Sequence, residues 1–108
     1  MPLNASAATT RVCATDELGI GGMRSLEING QAVCVVRVED GVFAFDDVCP
    51  HRGAALSAGK LVDTTLTCAA HTWEFDVRTG ALLRLRAPAC LAMRDVFEED
   101  GVIYVANT

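Results

Sequence analysis

The chain has two histidines, and each trails a cysteine closely. Cys49 and His51 stand in CPHRG with one residue between them; Cys68 and His71 stand in CAAHTWEFD with two residues between them. Sixteen residues separate His51 from Cys68. A fold that uses these four side chains together must return two separate segments to one place. Pro50, Gly53 and Gly59 interrupt any regular element around the first pair, so that segment reads as a loop. A thiolate and an imidazole this close on a loop can face one point. Two such loops from neighbouring strands supply two sulfurs and two nitrogens.

The flanking sequence supplies strands. Arg11–Cys13 carries a weak β signal, and Met23–Ile28 roughly alternates before Asn29-Gly30, a dipeptide suited to the positive-φ positions of a two-residue hairpin. Ala32–Val38 is rich in β-branched residues, and Glu39-Asp40-Gly41 turns it into Val42–Phe45. After the first loop, Leu61–Thr67 reads as one strand that delivers the chain to Cys68. Trp73, Phe75 and Val77 alternate with Glu74 and Asp76, a half-buried strand. Residues 81–90 are ambiguous around Pro88, and Cys90–Phe97 and Val102–Val105 flank a turn at Glu98–Gly101. No stretch sustains a 3.6-residue period. The expected fold class is all-β, a sandwich or barrel-like fold with two inserted loops. At 108 residues one domain is expected, spanning residues 10–108 behind a small, polar, flexible arm at residues 1–9.

Charge and targeting signals narrow the function. Fourteen acidic against nine basic residues give a net charge of −5, which argues against a nucleic-acid partner. MPLNASAATTR offers neither a cationic nor an apolar segment of the secretory kind, and no apolar run approaches the roughly 18 residues that cross a bilayer. No membrane partner is expected, and the expected location is cytoplasmic. Thiols stay reduced there, so the five cysteines do not read as a disulfide framework.

Two metal sites accept two cysteines and two histidines. One is tetrahedral zinc; the other is a [2Fe–2S] cluster with both cysteines on one iron and both histidines on the other. Zinc motifs commonly pair like ligands, whereas each pair here is mixed. A mixed pair suits a two-iron centre, because each loop can give one ligand to each iron.

At these residues the chain resembles the Rieske family. CPHRG and CAAHTWEFD at this spacing, followed by VRTG and closing on DGVIYV, carry a resemblance that covers about residues 11 to 105. The resemblance implies stacked antiparallel sheets with a two-loop cluster-binding subdomain. It implies that Cys49, His51, Cys68 and His71 ligate a [2Fe–2S] cluster, the expected cofactor and metal site. Neutral imidazoles in place of two anionic thiolates raise the potential of such a cluster into roughly −150 to +300 mV. High-potential Rieske proteins of respiratory complexes add a disulfide between the loops, where this chain has Ala54 and Ala70. They also add serine and tyrosine donors, where this chain has Trp73 and Phe75. The expectation is a potential near the bottom of that range.

CAAHTWEF lacks the proline and aromatic residue of the CPWHG or CPYHG strings common in dioxygenase ferredoxins. It looks more like the ferredoxins of toluene- and alkene-type diiron monooxygenases, with C-x-A-H-x-W-x-F, and GIGGM and PACLAMRDV look like that group too. The implied role is an electron carrier with no catalytic residue of its own. It would pass single electrons from an NAD(P)H-dependent flavin/iron–sulfur reductase to the hydroxylase component of a monooxygenase. The competing readings are the ferredoxin of a ring-hydroxylating dioxygenase, a small subunit of a nitrite-reductase-type enzyme, and a zinc-stabilised interaction module without redox chemistry.

Other residues take plainer roles. Trp73 reads first as a core-packing residue, with a cover over the cluster or a partner surface as the functional reading beside it. Arg52 reads as a solvated loop residue, and Pro50 and Gly53 shape the loop. Cys34, alternating with Val36 and Val38, reads as a small buried apolar residue, and Cys13 and Cys90 as structural. Glu39-Asp40 and Glu98–Asp100 serve their turns, and they offer a basic partner a complementary surface.

Overall fold

The computed structural model describes residues 8–50, 53–69, 73–84 and 89–107. The described chain is almost entirely β: β1 Thr9–Ala14, β2 Met23–Ile28, β3 Gln31–Val38, β4 Gly41–Asp46, β5 Lys60–Val62, β6 Thr65–Thr67, β7 Glu74–Asp76, β8 Leu82–Leu83, β9 Met93–Arg94, β10 Val96–Glu99 and β11 Val102–Ala106. Single 3₁₀ turns occupy Thr15–Glu17 and Leu56–Ala58. The strands form three antiparallel sheets, ordered β1-β11-β10, β2-β3-β4-β9 and β5-β6-β7-β8.

The sheet β2-β3-β4-β9 lies between the other two, and β3 explains why. Its run QAVCVVRV is apolar on both faces. Val33 and Val35 face one core with Cys13, Ala44, Ile103 and Val105. Cys34, Val36 and Val38 face a second core with Phe45, Leu56, Leu66, Phe75, Val77 and Leu91. A strand buried on both faces cannot show polar alternation. Each core supplies hydrophobic burial of roughly 25 cal/mol per Å² of apolar surface.

The expected hairpin at Asn29-Gly30 forms, with φ of 50° and 83°. Both central residues are left-handed, which matches the twist of paired strands. Residues Leu61–Thr67, expected as one strand, instead form two. Asp63, at φ 53°, turns the chain so that Leu61 pairs with Leu66. Aspartate tolerates this conformation, and its turn chemistry outweighs the β pattern around it. The stretch Cys90–Phe97 also divides. β9 joins β4 in the middle sheet, and β10 joins β11 in the outer one, so the chain changes sheets at Asp95.

Two arginines tie the layers. Arg37 on β3 donates to the Leu18 carbonyl at 2.6 Å and to Glu98 on β10 at 2.7 Å. Arg94 on β9 donates to Asp46 on β4 at 2.6 Å and to the Ala106 carbonyl on β11 at 3.0 Å. The strand directions give the molecule two unlike ends. The turns around Asp40, Asp63 and Arg78 meet at one end, where Arg78 bonds Asp40 at 3.0 Å and Val77 N–H donates to Thr64 at 3.0 Å. β4 and β6 both run away from that end, towards Cys49 and Cys68. No helix among the described residues is long and apolar enough to cross a membrane.

Candidate metal centre

Cys49 leaves β4 on a loop that closes on itself. Its N–H donates to the Ala54 carbonyl at 2.7 Å, and Gly53 N–H donates back to the Cys49 carbonyl at 2.8 Å. Gly53 sits at φ 76°, a conformation that glycine takes without steric cost. Cys68 leaves β6 on a loop closed in the same way: its N–H donates to the Trp73 carbonyl at 2.7 Å. In both loops the cysteine amide thus bonds the carbonyl five residues on. This equivalence is not visible in the sequence, because the closing residues, Ala54 and Trp73, are unlike.

The two cysteines belong to one core. Cys49 is 1% exposed and Cys68 is fully buried, and both pack with Leu56, Leu66, Phe75 and Leu91. The next residue on each loop, Pro50 and Ala69, is exposed. His51, Arg52, Ala70 and His71 lie outside the described residues, so the structure speaks for the sulfur half of the quartet. Two buried cysteines in one core, each with its amide bonded to the carbonyl five residues on, fit a group that takes anionic sulfur at its protein end.

Phe75 is fully buried and Trp73 half-buried against the same core, with ring centroids 6.5 Å apart at 54°. The tilted contact makes Trp73 part of the wall behind the second loop. Ala54 also packs against this core.

The remaining cysteines divide. Cys13 is buried in the other core. Cys34 is buried beside Cys49 and Cys68, where desolvation first, and the charge of Asp47 second, push its thiol up to about 12. Cys90 is exposed, and an isolated bridge pairs it with Ala81. The acidic turns lie at the end away from Cys49 and Cys68.

Sequence reasoning passed over Asp47. It is the one buried charged side chain among the described residues, 4% exposed. Its carboxylate accepts from Ser25 Oγ at 2.9 Å, Ser57 Oγ at 2.6 Å and Ser57 N–H at 2.7 Å. An aspartate beside a loop ordinarily reads as solvated, and nothing in its neighbours signals burial.

Comparison with known proteins places this geometry. The family model for the Rieske [2Fe-2S] domain matches residues 8–104. The ferredoxin component of the alkene monooxygenase system of Xanthobacter autotrophicus is 39% identical over 97 residues, 89% of this chain and 79% of that one. The ferredoxin subunit of 3-phenylpropionate/cinnamic acid dioxygenase of Photorhabdus laumondii is 38% identical over 95 residues, 87% of this chain and 90% of that one. Among solved structures, the ferredoxin of carbazole 1,9a-dioxygenase from Nocardioides aromaticivorans superposes with a TM-score of 0.84 at 32% identity, covering 93% of this chain and 98% of that one.

Proposed function

The chain belongs to the Rieske [2Fe–2S] domain family, and we propose that it is the ferredoxin of an oxygenase system, a carrier of single electrons and not a catalyst. Cys49, His51, Cys68 and His71 hold the cluster, which when bound accepts and gives one electron. The chain's own contribution is to fix and shield it. The two closed loops hold the sulfurs inside the core, and Leu66, Phe75 and Leu91 keep water from that side. Exposed Pro50, Gly53 and Ala69 leave the loop ends open to a partner. Electrons come from an NAD(P)H-dependent flavin/iron–sulfur reductase.

The acceptor is the diiron hydroxylase of a multicomponent monooxygenase. The observation that carries this choice is the second loop, CAAHTWEF, with Trp73 built into the core behind it. A second reading, the ferredoxin of a ring-hydroxylating dioxygenase, draws on the near-equal 38% identity to a dioxygenase ferredoxin. Reconstitution tests both. The loaded protein, with a reductase, should support turnover of an alkene- or arene-oxidising diiron hydroxylase and not of a Rieske dioxygenase. The reverse result establishes the second reading. A colourless protein with one zinc per chain rejects both.

A further inference from the structure

Asp47 is the one charged side chain buried among the described residues. Its backbone N–H donates to the Ala32 carbonyl at 2.9 Å, which anchors it to β3. It stands two residues before Cys49, and its carboxylate reaches forward ten residues to Ser57 in the 3₁₀ turn Leu56–Ala58. Both limbs of the first loop are therefore tied to one side chain, and Ser25 ties that side chain to β2. The turn leads into Gly59, where a Cβ would lie 2.1 Å from the Thr67 carbonyl oxygen, one residue before Cys68. What holds Ser57 thus also sets how closely the first loop lies against the second. Among the described residues the Asp47 carboxylate accepts from two hydroxyls and an amide. The Asp47 carboxylate acts on the core that holds both cysteines: after desolvation, it is the second cause raising Cys34 there.

We propose that Asp47 is a positioning residue for the metal centre: its carboxylate clasps the two limbs of the first loop, and its buried charge lowers the potential at which the centre accepts an electron. The inference rests on the electron-carrier function proposed above. Reversible one-electron titration of the wild-type holoprotein tests that function by itself, and the variants test Asp47.

Asp47→Asn keeps the shape and removes the charge. In redox titration its midpoint should rise so that the reduced-to-oxidised ratio at fixed ambient potential grows about tenfold, about 59 mV for one electron. An unchanged midpoint overturns the electrostatic role. The double variant Ser25→Ala, Ser57→Ala keeps the charge and removes two donors on accessible elements. Loss of visible absorbance on adding an iron chelator should be about fivefold faster than in the wild type. A wild-type rate overturns the clasp. If Asp47→Asn takes up no cluster, the serine variant decides by that rate.

Discussion

At the scale of single residues, the same side chain does different work in the two cores. Cys49 and Cys68 are buried with aromatic and aliphatic neighbours on one side and a loop end on the other, whereas Cys13 is enclosed between β1 and the middle sheet. Cys49→Ser and His71→Ala should each yield protein without the visible bands of the cluster, with iron content near zero and a markedly lower melting temperature. Ligand binding and folding are coupled in such sites, so both readouts fall together. A normal spectrum in either variant contradicts the ligand assignment. Cys13→Ala, by contrast, should load fully and cost on the order of 1 kcal/mol in denaturant unfolding, the loss of one small buried group.

At the scale of elements, the site depends on how closely β5 approaches β6. Lys60 pairs with Thr67, and the preceding Gly59 leaves no room for a side chain against the Thr67 carbonyl. Its φ of −83° is ordinary, so the constraint is space, not backbone conformation. Gly59→Ala should cost about 1–3 kcal/mol in stability, the usual range for overpacking, and reduce cluster occupancy by spreading the two loops. Occupancy measured as iron per chain checks this, and full occupancy would show that the loops tolerate the displacement.

The Arg37–Glu98 link between middle and outer sheets makes a different forecast. Arg37's hydrogen bond holds the Glu98 carboxyl below its ordinary value of 4.5; burial opposes the shift, and Thr15 adds to it. A lowered folded value means stability that is present above pH 4.5 and lost as pH falls through the folded value. The Glu98 side chain is 33% exposed, so solvent screening limits the contribution to about 1 kcal/mol or less. Glu98→Gln should therefore be slightly less stable at pH 7, with the difference closing below pH 4.5. A deficit that persists at pH 3 would point to packing instead.

At the scale of the whole molecule, the acidic turns and the cysteine loops occupy opposite ends. Carboxylates that bear no ion pair among the described residues, such as Asp63 and Asp100, sit far from any partner placed at the loops. Asp63→Asn with Asp100→Asn should leave the apparent KM of the oxygenase for the carrier within about twofold. A larger change would mean that this end takes part in docking. The loaded protein should titrate in the lower part of the roughly −150 to +300 mV range of such centres. A midpoint above about +200 mV would show that the loops supply more hydrogen bonds to sulfur than Trp73 and Phe75 side chains can.

Residue type and spacing alone determined the β class and the four ligand candidates, because metal chemistry admits few donor sets; the family entered as a resemblance carried by CPHRG and CAAHTWEFD. Asn29-Gly30 likewise declared its turn, since few dipeptides accept two left-handed residues. Three things were settled only in three dimensions. Burial on both faces hid which layer β3 belongs to. A single aspartate at 63 divided an apparent strand whose pattern looked continuous. Asp47 became part of the site through Ser25 and Ser57, 22 and 10 residues away in sequence. Local pattern reports what a residue prefers; whether a charge is buried, and which segments it joins, depends on chain that arrives from elsewhere.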